Sequence, residues 1–418
     1  MKISSFNIEK DVDKGKLIYN TISSGILFLD SEKAEEYESL KNLDFINEDD
    51  SNLKRELIKG KMIIDDNLDE IELVKYVSNS ARYNKDYLGL TIATTQACNF
   101  VCPYCYEKGI EFKNMSDETA NSILEFIKNN IKRDSSLSIT WYGGEPLLAM
   151  DVIEKISEDI LKYIDIDKYN ASIVTNGYLL TREYAEKLNK YKVKTAQITL
   201  DGPPQIHDTR RKLASGEGTF NKIVENIKNS CDLIDITIRV NIDNTNKDYI
   251  EELVNILKEN DVYDKIFLYV AKVDDYSKEP NKNKSILTYE EFSKLHNKFT
   301  ENNKNFNHIP MINPNICVSV SANGFVIDPE GNLYKCWDEI GRKEGIIGNV
   351  KDGFEYNETF FFYNNYNPFD DKKCLECKLL PICMGGCPFQ KRKRGEAVCR
   401  EQKFVIDQML DNAYKSSL

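Results

Sequence analysis

From about residue 87 the chain repeats one local pattern, a short apolar strand followed by an amphipathic helix. The strand patterns are LGLTIATT, SITWYG, ASIVTNG, AQITLD, DITIRVNI and KIFLYVAKV. Consecutive strands joined through helices pair in parallel, because a parallel neighbour needs a crossover connection. Six such units predict an α/β fold, a partial (β/α)6 barrel over residues 87–305.

The segments on either side have different patterns. In residues 1–86 we predict a hairpin, KLIYNT and ILFLD, then a Ser-capped helix, SEKAEEYESLKNL, a short strand, KMIID, and a helix, DEIELVKYVSNSARY. Residues 306–418 combine predicted short strands, ICVSVS and GFVIDP, with seven cysteines. A chain of 418 residues exceeds what one core organises, so three domains are predicted, 1–86, 87–305 and 306–418.

Charge and hydropathy restrict the partners. The chain has 56 Lys plus Arg against 68 Asp plus Glu, a net charge of −12, which argues against general binding to nucleic acid or an anionic membrane. No apolar signal region opens the chain, and no run of about 18 apolar residues occurs. We expect a cytoplasmic protein with no nucleic-acid or membrane partner.

The 11 cysteines fall into two groups, with only Cys231 outside them. A disulfide framework is typical of small secreted chains, so metal or redox chemistry is the better interpretation. The first group, Cys98, Cys102 and Cys105, lies just beyond the first barrel strand, where such barrels carry their active-site loops. Three thiolates can hold three irons of a four-iron cluster and leave the fourth open. A structural zinc loop is the alternative.

The spacing Cys-x3-Cys-x2-Cys, with Tyr104 before the third cysteine, closely resembles the radical S-adenosylmethionine (SAM) enzymes. Gly143-Gly144-Glu145-Pro146 after the second strand resembles the motif that binds the amino group of the cofactor's methionine part. Thr175-Asn176-Gly177 and Thr199 to Gly202, after the third and fourth strands, resemble further loops that line the cofactor.

The resemblance implies that Cys98, Cys102 and Cys105 carry the catalytic cluster, whose electron cleaves SAM to methionine and a 5′-deoxyadenosyl radical. An electron donor such as flavodoxin or ferredoxin is then a partner. The residues implied to contact SAM are Tyr104, Gly143, Gly144, Glu145, Pro146, Thr175, Asn176 and Thr199. Arg239, charged on an apolar strand, either faces the cofactor or is buried against a carboxylate.

The second cysteine group matches the seven-cysteine signature of the SPASM domain, which implies two auxiliary clusters and thus three 4Fe-4S clusters in all. By resemblance, one auxiliary cluster is held by Cys374, Cys377, Cys383 and Cys399, and the other by Cys317, Cys336 and Cys387. The second would keep a site for a substrate thiolate or for solvent, and both remain open. One or two zinc ribbons are the alternative for the tail.

Two enzyme classes share this arrangement. In anaerobic sulfatase maturation, by resemblance, an Asp directly after the second tail cysteine acts as base. Here Trp337 stands there and Asp338 one residue later, and a one-residue shift turns a side chain to the other face of a strand. The other class modifies ribosomally made peptides and often carries an N-terminal winged-helix module that holds a leader peptide as an added strand. Residues 1–86 resemble that module in element order only; an extension that merely packs against the barrel is the alternative.

The favoured function is a radical SAM oxidoreductase that matures a ribosomal (RiPP) precursor peptide by joining a Cys thiol to a carbon as a thioether. The alternatives are a formylglycine-forming sulfatase maturase and a non-catalytic iron–sulfur protein for electron transfer or redox sensing. The stretch IHDTRR, which contains His207, Arg210 and Arg211, is predicted to be a solvated loop at a helix entry rather than a contact to substrate or cofactor.

Overall fold

The computed structural model describes residues 1–43, 45–46, 51–132, 134–274, 285–302, 310–314 and 317–417. The strands are β1 (Lys2–Ile3), β2 (Asn7–Val12), β3 (Gly15–Asn20), β4 (Ile26–Asp30), β5 (Ile63–Ile64), β6 (Tyr87–Thr95), β7 (Ser136–Gly143), β8 (Tyr169–Thr175), β9 (Val193–Thr199), β10 (Asp235–Ile242), β11 (Ile266–Lys272), β12 (Gly324–Ile327), β13 (Asn332–Tyr334), β14 (Gly348–Asn349) and β15 (Gly353–Phe354). The helices are α1 (Ser31–Lys41), α2 (Asn52–Lys59), α3 (Glu70–Arg82), α4 (Asp117–Asn130), α5 (Met150–Tyr163), α6 (Arg182–Lys190), α7 (Pro204–Arg210), α8 (Phe220–Ser230), α9 (Ile250–Glu259), α10 (Tyr289–Asn302), α11 (Glu358–Asn364), α12 (Lys372–Leu375), α13 (Leu380–Cys383), α14 (Pro388–Arg394) and α15 (Gln402–Ser417). Within these ranges, no helix combines the length and apolar character that crossing a membrane requires.

The six predicted barrel strands, β6 to β11, pair in parallel and lie side by side in chain order. Helices α4, α5, α6, α8 and α9 lie between successive strands, which confirms the predicted partial barrel. Every β6 residue after Tyr87 is buried, as expected of a parallel strand that is covered on both faces. Local signals set the helix starts: the Ser116 side chain accepts the Thr119 N–H at 3.1 Å and begins α4.

Strand β12, the predicted GFVIDP strand, lies on the free side of β6 and pairs with it in parallel. Strands β13, β14 and β15 then extend the sheet in antiparallel fashion. The other predicted tail strand, ICVSVS, is wrong, because Val318–Val320 form a 3₁₀ turn; Ile316 lies outside the described residues. The first barrel strand therefore receives its second neighbour from the tail of the chain.

The chain divides into two compact units. The barrel unit comprises Asn84–Thr288 and Ala322–Asn364, and the terminal unit comprises Met1–Tyr83, Tyr289–Ser321 and Asn365–Leu418. Helix α10, predicted to be the last barrel helix, belongs to the terminal unit and packs against α15. The predicted domain boundaries near residues 86 and 305 stay predictions.

In the terminal unit, the predicted hairpin is present as β3 and β4, and a third strand that was not predicted, β2, pairs with β3 on its other side. The α1 cap is Asp30, whose side chain accepts the Lys33 N–H at 3.0 Å, rather than the predicted Ser31. Helix α2 was not predicted either. The two faces of β3 enter different cores: Ile18 packs with residues of α1, α2 and β5, whereas Leu17 and Tyr19 pack with residues of α13 and α15.

Candidate functional site

The cysteine loop of the barrel unit begins immediately beyond β6. Cys98 and Cys102 are half-buried, Cys105 is exposed, and all three thiols are free. Main-chain hydrogen bonds of 2.9 and 3.1 Å join residues 99–101 of the loop to residues 212–214, which follow α7. The loop is therefore supported by backbone on two sides, by the strand that precedes it and by the chain after α7.

Desolvation of the thiol groups dominates their titration, including that of Cys105, although this residue is exposed as a whole. It raises the pKa of Cys98 to about 12 and that of Cys105 to about 11, and it raises the pKa of Cys102 as well. The positive charge of Arg211 acts in the opposite direction on all three pKa values. Since thiolates are the metal-binding form, a cation at this place favours the state that a cluster needs.

The loop that follows β7 is locked onto the start of the cysteine loop. The N–H of Gly144 donates to Thr95 O at 3.0 Å, and that of Glu145 donates to Ala97 O at 2.9 Å. A Cβ on Gly143, whose φ is +131°, would lie 2.1 Å from Thr95 O, and one on Gly144 would lie 2.5 Å from Ala97 O. Both glycines are required because no side chain fits where the two loops meet.

Glu145 ties the loop after β7 to the loop after β8. Its buried carboxylate accepts the Leu147 N–H at 3.0 Å, the Thr175 hydroxyl at 2.7 Å and the Asn176 N–H at 2.7 Å. Burial raises the pKa of Glu145, and these hydrogen bonds oppose the rise. The Asn176 amide in turn donates to the Asn99 side chain at 2.7 Å. Three predicted cofactor residues thus form one buried network with the cysteine loop.

Tyr104 joins the cysteine loop to a charged network that the sequence did not predict. Its hydroxyl donates to the Asp201 carboxylate and accepts a hydrogen bond from Arg211 Nη1 at 2.9 Å. Arg210 Nε lies 3.3 Å from Asp201, and Arg210 Nη1 lies 2.8 Å from Asp243. Asp201, Arg210 and Arg211 therefore contact the predicted cofactor residue Tyr104, and Asp243 pairs with Arg210.

The prediction of a solvated IHDTRR loop is wrong. His207 is 0% exposed, Arg210 7% and Arg211 9%. The Asp201 N–H donates to His207 Nδ1 at 3.2 Å, so Nε2 carries the proton and faces the Thr219 hydroxyl at 3.1 Å. Burial holds the His207 pKa well below its usual value. The sequence contained a signal for this burial. Asp201 ends the TLD stretch directly after β9 and supplies a carboxylate for the arginines.

Two further predicted cofactor residues are brought together on neighbouring strands. Arg239 of β10 and Thr199 of β9 are partners in the strand register. Arg239 Nε donates to the Asn241 side chain at 2.7 Å, and its guanidinium lies 6.0 Å from the centroid of the Tyr269 ring. Whether Arg239 faces SAM stays a prediction; its side chain lies on the half-exposed face of the strand.

An aromatic cluster adjoins the cysteine loop. Tyr106 directly follows Cys105, and its hydroxyl lies 2.6 Å from that of Tyr142 on β7. The Tyr142 ring stacks on Trp337, with centroids 5.7 Å apart and planes 9° from parallel. Burial raises the pKa of Glu107, which hydrogen-bonds the Tyr106 hydroxyl, to about 7. These aromatic side chains connect Tyr106, which follows the predicted ligand Cys105, with Trp337, which follows Cys336.

The backbone that follows Cys336 is not the strand on which the sequence prediction relied. Trp337–Glu339 form a 3₁₀ turn rather than a strand, so one residue step rotates a side chain by about 120° and not to the opposite face. The Cys336 thiol donates to the Asp338 carboxylate at 3.7 Å. The strand premise that counted against sulfatase maturation is therefore wrong, although Trp337 still occupies the position directly after the cysteine.

The tail cysteines other than Cys336 lie in the terminal unit. Burial raises the pKa of Cys374 to about 11, with Cys383 and Cys377 adding to the rise. Burial raises the Cys383 pKa too, with contributions from Cys399 and Cys377. Cys377 and Cys383 thus lie close enough to act on Cys374, and Cys377 and Cys399 close enough to act on Cys383. The grouping of Cys317, Cys336 and Cys387 stays a prediction.

The donor chemistry of the cysteine loop fits an iron–sulfur cluster. The three thiols are free, and a buried cation, Arg211, contacts Phe100 and Tyr104 of the same loop. The Nε of Arg211 has no hydrogen-bond partner among the described residues. Cluster and thiolates together carry negative charge, which such a cation compensates. Among the described residues, no three His, Cys, Asp or Glu side chains converge as ligands of a single metal ion.

Residues 92–257 match the model of the Radical SAM superfamily. The chain is 25% identical over 331 residues to the cysteine-type anaerobic sulfatase-maturating enzyme of Clostridium perfringens, covering 70% of this chain and 86% of the relative. It is 27% identical over 425 residues to the radical SAM cyclopropyl synthase TigE of Paramaledivibacter caminithermalis, covering 91% and 87%.

Among solved structures, the fold is similar to that of Streptococcus suis SuiB, determined bound to the precursor peptide SuiA. The TM-score is 0.55 at 17% identity, and the match covers 94% of this chain and 97% of that one. At this identity the similarity shows a shared fold, which extends over both compact units.

Proposed function

We propose that this chain, which carries a radical SAM domain and belongs to the radical SAM enzyme family, matures a ribosomally made peptide by joining a cysteine thiol to a carbon. The family accounts for the radical SAM chemistry. The peptide substrate and the formation of a thioether are what we propose.

One observation carries the cofactor assignment: the loops after β6, β7 and β8 interlock at one edge of the parallel sheet. Gly143 and Gly144 allow the second loop to approach the cysteine loop, and Glu145 connects it to Thr175 and Asn176 of the third. The carboxyl ends of barrel strands are where such folds place their active sites. The residues proposed to bind SAM are therefore held rigidly beside the residues proposed to bind the cluster.

Each group has a role in this proposal. Cys98, Cys102 and Cys105 hold the cluster, which supplies the electron that cleaves SAM into methionine and a 5′-deoxyadenosyl radical. Glu145 accepts a hydrogen bond from the cofactor's amino group, since its two oxygens offer about four acceptor sites and three are used within the protein. Arg239, one strand away from Thr199, provides positive charge for a carboxylate.

The atoms balance for a thioether. The peptide carbon gives one hydrogen atom to the deoxyadenosyl radical and then bonds to the cysteine sulfur. The thiol proton would leave to solvent, and the tail cysteines would hold the iron–sulfur centre that accepts the remaining electron. The net change is the loss of two hydrogen atoms from the peptide, one as the atom taken by the radical and one as the separate proton and electron.

A peptide substrate is supported by the extent of the similarity. TigE and SuiB match over 91% and 94% of this chain, and the SuiB structure is bound to a precursor peptide. In this chain three N-terminal strands form the sheet β2-β3-β4, which ends in the edges β2 and β4. An extended leader segment can add to such an edge through main-chain hydrogen bonds.

Formylglycine formation is the second candidate. The sulfatase-maturating relative and the Asp338 carboxylate, 3.7 Å from Cys336, favour it. Trp337, which occupies the position of the base in that class, opposes it. The two candidates differ in product, because formylglycine replaces the cysteine thiol by an aldehyde and joins no second residue.

The first test is anaerobic reconstitution and SAM cleavage with dithionite. We expect 5′-deoxyadenosine from the wild-type protein and none from the Cys98→Ala, Cys102→Ala, Cys105→Ala triple variant. Bound iron should fall from about twelve to about eight atoms per chain between them, since each cubane holds four. About four irons in the wild type, with zinc in the tail, would contradict the auxiliary clusters.

The second test uses a synthetic copy of a small cysteine-containing peptide encoded beside this chain in its genome. A thioether product loses two hydrogen atoms and one thiol that iodoacetamide can alkylate. A carbon–carbon product, such as a cyclopropane, loses the hydrogens and keeps the thiol, whereas formylglycine reacts with a hydrazide. A peptide that keeps its mass and its thiol while SAM is cleaved would overturn the peptide maturase.

A further inference from the structure

Arg211 is a buried cation whose position follows from the backbone around it. It ends α7 as the capping residue, with its N–H donating to His207 O at 2.7 Å and its carbonyl accepting the Thr219 hydroxyl at 2.6 Å. The next residues pair with residues 99–101 of the cysteine loop. The main chain thus fixes Arg211 beside the cysteine loop.

The side chain forms no salt bridge with a carboxylate among the described residues. Nη1 donates to the neutral Tyr104 hydroxyl at 2.9 Å, and the guanidinium lies 5.7 Å from the centroid of the Phe100 ring. Nε is buried and has no hydrogen-bond partner among the described residues. The nearby carboxylates Asp201 and Asp243 are instead engaged by Arg210. A buried cation without a carboxylate partner is unfavourable unless another negative group faces it.

A cluster held by the three cysteines would supply that group. Arg211 contacts Phe100 and Tyr104, which lie on either side of Cys102 in the cysteine loop. Three thiolates around a four-iron core leave a net negative charge that grows by one on reduction. A fixed positive charge stabilises the reduced form more than the oxidised form, because the interaction scales with the charge it faces.

We propose that Arg211 is the built-in counter-ion of the SAM-cleaving cluster and raises its reduction potential, and that Tyr104 positions it by standing between Arg211 and Asp201. This inference rests on the proposed function, because it needs a cluster in the cysteine loop. The two arginines of the IHDTRR segment then have different roles. Arg211 acts on the cluster, whereas Arg210 neutralises the surrounding aspartates.

The experiment is a redox titration of the anaerobically reconstituted protein, followed by electron paramagnetic resonance. The signal of the SAM-cleaving cluster is the part that is lost in the Cys98→Ala, Cys102→Ala, Cys105→Ala variant. We expect Arg211→Gln to shift the midpoint of this signal to more negative potential, and Arg211→Lys, which keeps the charge, to restore most of the shift. Arg182→Gln, which removes an exposed arginine paired with Asp232, should leave the midpoint unchanged.

A second variant covers the case in which Arg211→Gln does not retain iron. Tyr104→Phe keeps the charge and the ring but removes the hydroxyl between Arg211 and Asp201, so Arg211 can turn to that carboxylate. A smaller negative shift with full iron content is expected. Wild-type midpoints in the iron-loaded variants would overturn the role of Arg211 while SAM cleavage still supports the proposed function. No signal that depends on the cysteine loop in the wild type would overturn both.

Discussion

Tyr142 and Trp337 form a parallel stack between the strand that leads to the GGEP loop and the turn that follows Cys336, with ring centroids 5.7 Å apart. The two residues are far apart in the chain but belong to the same compact unit. The stack ties the turn bearing a predicted auxiliary-cluster ligand to the barrel strand nearest the cofactor loops.

Removal of this stack should weaken the barrel unit. The chain has two tryptophans, and the other, Trp141, is fully buried in β7, so its fluorescence reports unfolding of this unit once Trp337 is replaced. We expect Trp337→Ala to be less stable than Trp337→Phe by about 1 kcal/mol, since aromatic pairs contribute roughly 0.5–1.5 kcal/mol beyond their buried area. Equal urea midpoints for the two variants would show that the stack contributes nothing.

Gly143→Ala should prevent the cysteine loop from holding its cluster. The added methyl group would lie 2.1 Å from Thr95 O, so the two loops must separate. Gly109→Ala is the matched control, because Gly109 also has a positive φ, of 86°, but a methyl group there meets nothing within 4 Å. After reconstitution, Gly143→Ala should lack about four irons per chain and Gly109→Ala none. Wild-type iron in Gly143→Ala would contradict the interlocked-loop geometry.

The Asp201 carboxylate should be among the most costly polar groups to alter. It is fully buried and binds Tyr104, Arg210 and the Asn241 N–H, so Asp201→Asn leaves Arg210 partly uncompensated. Breaking a buried ion pair typically costs about 3–5 kcal/mol.

Asp232→Asn provides the control for Asp201→Asn, because it breaks the exposed pair with Arg182 at 2.9 Å and should destabilise the protein far less. Urea unfolding followed by tryptophan fluorescence measures both variants. Similar losses would mean that burial of the Asp201 network adds no stability.

The stability of the barrel unit should depend on pH through His207. Burial holds its folded-state pKa well below the usual value, so the unfolded chain binds a proton that the folded protein does not. The contribution of His207 to the free energy of unfolding is therefore fully present above about pH 7.5 and falls by about 1.4 kcal/mol per pH unit below about pH 6.5. His207→Gln, which can still accept and donate, should flatten this dependence.

His296→Gln serves as the control for the pH dependence, because burial also lowers the pKa of His296 but the residue lies in the terminal unit. The Trp141 fluorescence transition should keep its pH dependence in this variant. An unchanged pH profile in His207→Gln would mean that another group is responsible.

The features that the sequence predicted correctly are those with short-range signals. The six βα units follow from alternating strand and helix periods, and the cysteine, GGEP and TNG loops each follow a strand end directly. Strand β2 was missed because NIEKDV is mostly polar and only its first residue is fully buried. The Asp30 cap was placed one residue late, at Ser31, because both residue types cap helices well.

The burial of the charged side chains was missed for a different reason. An arginine in a loop normally faces water, and only the pairing of Arg210 with Asp201 and Asp243, brought together from the ends of β9 and β10, makes its burial favourable. The parallel pairing of β12 with β6 also depends on distant partners, since nothing in GFVIDP indicates which strand it joins. Long-range pairing therefore separates what could be predicted from what could not.

The pairing of β12 with β6 also bears on how the protein is made. Gly89 pairs with Gly324, so the first barrel strand leaves the ribosome about 235 residues before its outer neighbour. At roughly 5–20 residues per second, that edge stays open for roughly 10 to 50 s while the rest of the barrel is synthesised. The cysteine loop directly follows β6, so the nascent chain exposes the thiols of this loop before the sheet beside them is complete.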